Sequence, residues 1–149
     1  MKTRLLIFSL LFIGFISCDS KDIVVETDLS TLEKQQQLWE SKGIDSYSFT
    51  QRISCFCTQE YTQPKEVVVR DGVIVSVAGV AYDAELQQSI LTVDARFDYI
   101  RESLAREPEM FSVEYDADYG FPSRFYFDFS LLIADAEVDY TFTDFTSQK

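Results

Sequence analysis

Alternation at period two in the C-terminal half constrains the fold of this chain more than any other feature. Phe111, Val113 and Tyr115, then Phe125, Phe127 and Phe129, then Val138, Tyr140 and Phe142 recur with polar residues between them. Successive side chains of a strand point to opposite faces, so each segment predicts a strand that is apolar on one side and wet on the other. The pattern begins earlier as well: Tyr47, Phe49, Ile53, Cys55 and Cys57 share one parity, while Ser46, Ser48, Thr50, Arg52 and Ser54 share the other. A sheet of this kind needs a cover on one face.

Two helices are available for that cover. Ser30-Thr31-Leu32-Glu33 has the form of a capping box and Gly43 is a suitable stop, which predicts a helix from Thr31 to Lys42 pinned by Leu32, Leu38 and Trp39. Thr92 caps a second helix, in which Val93, Phe97, Ile100 and Leu104 form an apolar stripe that ends before Pro108. Between them, Lys65 to Asp71 and Val73 to Gly79 flank an Asp71-Gly72 turn. A two-residue loop would put Val67 and Val69 on a face with Ile74 and Ser76. A three-residue loop, Arg70 to Gly72 with a G1 bulge, would put them with Val73, Val75 and Val77. The second register gathers the valines and is the one expected. The resulting expectation is an α+β domain: helix, three strands, helix, three strands, with an antiparallel sheet and two helices packed on one face.

The N-terminus carries an address. Lys2 and Arg4 precede an apolar run from Leu5 to Ile16, too short to span a bilayer as a helix and of the length of an export signal. Phe15-Ile16-Ser17-Cys18 resembles the bacterial lipobox, with Phe15 departing from the usual leucine. The expected organisation is a lipoprotein signal peptide over 1–17, a lipidated Cys18 opening a tether over 18–29, and a single domain over 30–149. Several acyl chains on one cysteine hold a protein on a membrane almost permanently, at about 0.8 kcal/mol per buried methylene. The expected location is the cell envelope, anchored to a membrane and facing the periplasm or the cell surface.

Composition removes several chemistries. There is no histidine, which excludes Ser-His-Asp and Cys-His nucleophiles, imidazole metal sites and the usual near-neutral base. Asp and Glu number 25 against 13 Lys and Arg, a net charge of −12, and losing Lys2 and Arg4 with the leader makes the remainder more negative still. Such a polyanion is a poor ligand for nucleic acid, and a basic protein or peptide is its natural partner. No cofactor and no metal site are expected, the chain is expected to be a monomer, and no catalytic residue stands out.

Cys55 and Cys57 remain once Cys18 is acylated, and an exported pair of cysteines is expected to form a disulfide. In a regular strand the two would sit too far apart, so the bond demands a bulge or turn at Phe56. Asp116-Ala117-Asp118-Tyr119-Gly120 looks like the start of a calcium loop but lacks the third oxygen residue and the terminal glutamate of an EF-hand. The bland alternative, a strand connection turned by Gly120 and ended by Pro122, is preferred.

Several segments together resemble a family of bacterial lipoproteins known only as a domain of unknown function. They are Trp39 followed by Gly43 to Phe49, the Cys55-Phe56-Cys57 trio, Val67 to Ile74, Thr92-Val93-Asp94 leading to Phe97 and Ile100, and Tyr115 to Pro122 leading to Asp128. Phe121 stands where the family usually has Tyr, and Thr58 where proline often follows the second cysteine. The resemblance implies a periplasmic or surface domain of helix-and-sheet type and lends no catalytic residue.

The function expected is that of a non-enzymatic envelope lipoprotein that binds a protein or peptide. The alternatives are a calcium-dependent binder and a carboxylate-based envelope hydrolase. Asp116, Asp118, Gly120, Phe121, Pro122, Arg124, Tyr126 and Asp128 are the candidate binding residues. Asp116 and the last three belong to the uncovered sheet face, with Ser48, Thr50, Arg52, Glu114, Glu137, Asp139, Thr141 and Thr143 around them.

Overall fold

In the computed structural model the described residues are 24–26, 28–133 and 135–148, so the segment over 1–17 expected to be a leader and Cys18, expected to be lipidated, lie outside them. The elements are β1 (Val24–Glu26), α1 (Leu29–Lys42), β2 (Tyr47–Ser54), α2 (Gln59–Thr62), β3 (Lys65–Arg70), β4 (Val73–Val77) and β5 (Val80–Ala81), followed by α3 (Val93–Ala105), β6 (Met110–Tyr115), β7 (Pro122–Asp128) and β8 (Glu137–Ser147). The strands form one sheet in the order β1-β6-β7-β8-β2-β3-β4-β5, and every pairing in it is antiparallel. The class is α+β. The layout departs from the expected one: a strand precedes α1 inside the stretch read as tether, a single-turn helix follows the cysteines, and Val80–Ala81 folds back on β4.

Helix α3 starts where its sequence says it should. The Thr92 hydroxyl accepts from the Ala95 amide at 3.1 Å, and Val93, Phe97 and Ile100 are fully buried. Helix α1 starts earlier than expected, because its cap is Asp28 and not Ser30: the Asp28 carboxylate accepts from the Thr31 amide at 2.8 Å, while Ser30 donates its hydroxyl to the same carboxylate. These bonds favour the ionised form and hold the Asp28 carboxyl below its ordinary value. Gly43 closes the helix in the left-handed region at φ 60°.

The β3–β4 hairpin corrects the expected register. Asp71 and Gly72 both have positive φ, the signature of a two-residue type I′ turn, so Arg70 pairs with Val73 and Val69 with Ile74. The bulge comes later: between Val68 and Val69 the register shifts, and Val67 meets Val77. Val67, Val69, Ile74 and Val77 are therefore buried, while Val73 and Val75 are exposed. The turn chemistry governs the loop, and the extra residue moves to where it lets Val77 rejoin the core. A second bulge does similar work in β8, where Ser48 pairs with Thr146 but Thr50 with Thr143 and Asp144 adopts φ 54°. It brings Phe145 against Trp39, Tyr47 and Phe121.

One face of the sheet is dry. Tyr47, Phe49, Ile53, Val113, Tyr115, Phe125, Phe127, Tyr140 and Phe142 form a single cluster with Leu32 and Trp39 of α1 and Val93, Phe97 and Ile100 of α3. Two side-chain bonds tie the helices to each other: Trp39 Nε1 donates to Asp94 at 3.0 Å and Arg101 donates to Gln36 at 2.6 Å.

Candidate functional site

The Asp116–Pro122 connection is built for its own geometry. The Asp116 carboxylate accepts from the amides of Asp118 at 3.0 Å and Tyr119 at 2.9 Å, its N–H donates to the Phe121 carbonyl, and the Gly120 N–H returns to the Asp116 carbonyl. An oxygen so engaged is turned into the loop and away from a ligand. Gly120 lies at φ 80° against α1, where an added Cβ would come within 2.6 Å of the Gln35 carbonyl oxygen. Phe121 is buried with its ring centroid 4.6 Å from that of Phe145 and 6.1 Å from that of Trp39, and Pro122 is buried beside it. Gly120, Phe121 and Pro122 thus dock the connection onto the core, while Ala117 and Asp118 are exposed.

Tyr119, half-buried with its ring against Phe121 and Phe145, lines a cleft of about 600 Å³ at the end of α1 together with Lys42, Asp45, Ser46, Arg70 and Ser147. The cleft has a mixed polar and apolar lining and carries two cations, Lys42 and Arg70, beside one carboxylate, Asp45. Its floor is held by backbone bonds, with the Gly72 amide donating to the Asp45 carbonyl at 2.8 Å.

On the wet face of the sheet, Arg124 is held between strands. It donates to Asp139 through two nitrogens at 3.1 and 2.6 Å and lies 3.8 Å from Glu114 across the β6–β7 pair. The hydrogen bonds to Asp139, then the charges of Asp139 and Glu114, raise its already high pKa. Tyr126 pairs with Asp139 on one side and Ser112 on the other. Partial burial first, and then the charges of Asp128, Glu137 and Asp139, raise its phenol above the ordinary tyrosine value. Asp128 is only 6 % exposed, and its carboxylate accepts from the Ser130 amide at 2.9 Å. Its charge shapes the β7–β8 connection before it can serve a partner.

The cysteines are joined. Cys55 and Cys57 form a disulfide with their Cα atoms 5.2 Å apart, and the Cys57 N–H reaches back to the Cys55 carbonyl at 2.8 Å, a tight turn in place of the extended strand. Phe56 at its apex is 83 % exposed. Among the described residues no group of three or more Cys, Asp or Glu is placed to hold a metal ion.

Sequence reasoning passed over Arg96. Its side chain is 1 % exposed, with the guanidinium carbon 3.1 Å from the ring centroid of Phe142 and 4.1 Å from that of Phe49, and one nitrogen donates to the Leu91 carbonyl at 3.3 Å. Its Nε has no acceptor among the described residues. Burial holds its pKa well below the ordinary arginine value. The signal lay in the stripe itself: position 96 is three residues after Val93 and four before Ile100, on the buried side of α3. Gln51 was passed over in the same way. It is buried on β2, donates to the Ser89 carbonyl at 2.9 Å and so fastens the segment that leads into α3.

Comparison with known proteins places residues 31–147 within a family described as a family of unknown function, DUF6174. No curated protein and no solved structure matches the chain.

Proposed function

The chain belongs to the DUF6174 family of unknown function, and we propose that it is a non-enzymatic binding module for a protein or peptide, displayed from a membrane in the cell envelope by a lipid on Cys18. The observation that carries this reading is the open face of the eight-stranded sheet. Among the described residues no helix lies on it, and it presents hydroxyls, Tyr126 and the Glu114–Arg124–Asp139 ladder. A broad polar platform with an aromatic at its centre suits a partner that docks by complementarity, and aromatics concentrate binding energy at such surfaces. The ladder sets two carboxylates, Glu114 and Asp139, against the one guanidinium of Arg124, so it stays net negative, and Glu137 adds to that sign and favours a basic partner.

Two measurements test the two halves of the reading. Metabolic labelling with palmitate should mark the wild type and fail to mark Cys18→Ser; an unlabelled, freely secreted wild type overturns the anchor. A photocrosslinker at Tyr126 or Thr141 in intact cells should give one discrete adduct that weakens as salt rises. Absence of any adduct from both positions, in a folded protein at native abundance, overturns the docking face.

A further inference from the structure

One end of the sheet carries an apolar tip that the fold does not need. The registers Met110↔Asp128, Asp128↔Glu137 and Ser54↔Asp139 bring the start of β6, the β7–β8 connection and the end of β2 side by side. Neighbouring strands lie about 4.8 Å apart, so these ends span roughly 15 Å. From them project Phe56, 83 % exposed, Leu132, 94 % exposed, and Leu131, Ile133 and Met110, each more than half exposed. Single exposed apolar residues are ordinary, but five gathered at one end of a sheet are the kind of feature that marks an interaction site.

The loops that carry these side chains are held in shape. The Cys55–Cys57 bond ties Phe56 at the apex of a turn. The Leu131 amide donates to Glu109 at 2.6 Å, and the Ile133 amide to the Ser130 carbonyl at 3.0 Å. A preorganised apolar anchor loses little freedom on docking, which is where much of the cost of association lies.

Charge decides among occupants. Glu60, Glu109, Asp135 and Glu137 surround the tip and are exposed. Of the nearby cations, Lys65 and Arg106 are turned onto the protein's own rings, Tyr61 and Phe129, which leaves the exposed Arg52 against four carboxylates. A second copy would bring two acidic collars together, and an anionic lipid surface would repel them. The chain direction also disfavours the membrane that would hold Cys18. Val24 pairs with Tyr115, at the far end of β6 from Met110, and the six Cα–Cα steps from Cys18 to Val24 reach at most about 20 Å.

We propose that this tip docks against an apolar helix face flanked by basic residues on a partner protein, with Phe56 and Leu132 as its anchors. The inference rests on the reading of the chain as a protein-binding module but assigns the anchors to the end of the sheet and not to its open face.

The test uses the full chain carrying Cys18→Ser, so that no lipid is attached, and a fluorescent amphipathic helix with leucines on one face and arginines on the other. Binding is expected, with affinity falling at least tenfold in Phe56→Ser and in Leu132→Ser and unchanged in Val73→Ser, an exposed apolar residue elsewhere. All three sites are exposed, and near-ultraviolet circular dichroism verifies the fold of each variant. Equal affinity for wild type and both tip variants overturns the proposal, since the peptide is then held by charge alone. Loss with Tyr126→Ser but not with Phe56→Ser overturns the tip and supports the open face; the reverse result supports the tip. Binding of phosphatidylcholine vesicles, or self-association on sedimentation, that vanishes in the tip variants overturns it in favour of a lipid surface or a second copy.

Discussion

Two arginines stand on opposite faces of the same sheet and are held by opposite means. Arg124 lies on the wet face with Asp139 and Glu114 beside it, and those partners raise its pKa. Arg96, on α3, lies between Phe49 and Phe142 with no carboxylate paired to it among the described residues, and burial lowers its pKa. The first is an ion pair in water, of the kind whose net worth is small. The second spends its charge on ring faces and one carbonyl, and fills a volume that a hydrocarbon chain could also fill. A formal charge therefore says little about a residue's role until its face is known.

The sharpest way to break this comparison is at Arg96. Arg96→Ala should lose about 4 kcal/mol, as large-to-small changes in a packed core do, while Arg96→Met should lose about 1 kcal/mol because it keeps the volume and removes a desolvated charge. Urea unfolding of both variants measures the difference. Equal losses would mean that the charge itself sustains the site.

Alkaline pH probes how dry that same face is. Burial pushes the Tyr47 phenol up to about 12, against an ordinary value of 10, and its hydroxyl oxygen accepts from the Val93 amide at 3.0 Å. The stability tied to this neutral phenol is complete below pH 10. Between pH 10 and 12 the unfolded chain ionises first, so stability falls as pH rises, by about 3 kcal/mol in all. Tyr140 is raised by burial as well and steepens the loss. Denaturant midpoints measured from pH 8 to 11.5 should drop, and Tyr47→Phe should flatten the curve while costing about 1.5 kcal/mol at pH 7 for the orphaned Val93 amide. A flat wild-type curve would show that water reaches the ring.

The wet face should yield the smallest effect. Arg124→Ala should cost less than about 1 kcal/mol and lose even that in molar salt, where Arg96 variants are unmoved. A salt-independent loss at Arg124 would mean that the ladder is far better shielded than its exposure suggests.

How legible all this was depends on the range of the interaction involved. The α3 stripe and its Thr92 cap, the wet and dry parities of β6, β7 and β8, the left-handed stop at Gly43 and the turn demanded at Phe56 are properties of a few consecutive residues, and they could be read directly. The α1 cap was misplaced because Asp28 and Ser30 are both competent caps, and the choice turned on where the chain leaves β1. The expected β3–β4 register failed because a gathering of valines was weighed above the type I′ preference of Asp71-Gly72. The fold satisfied both by placing a bulge further on. The candidate binding residues Gly120, Phe121 and Pro122 looked available in sequence because nothing there showed that α1 would close over them.

What the chain determined by itself was direction: periods of two and of 3.6 send each side chain to one face or the other, and caps and turns mark where elements begin, because these follow from bonds within one or two turns. What only the tertiary structure decided was company. That Arg96 goes inside while Arg124 stays out, that Phe145 crosses a bulge to join Trp39, and that Phe56, Leu132 and Met110 emerge at one end of the sheet all depend on which strands lie side by side. The physical reason is that strand order is set by burial summed over the whole sheet, a quantity that no single segment contains.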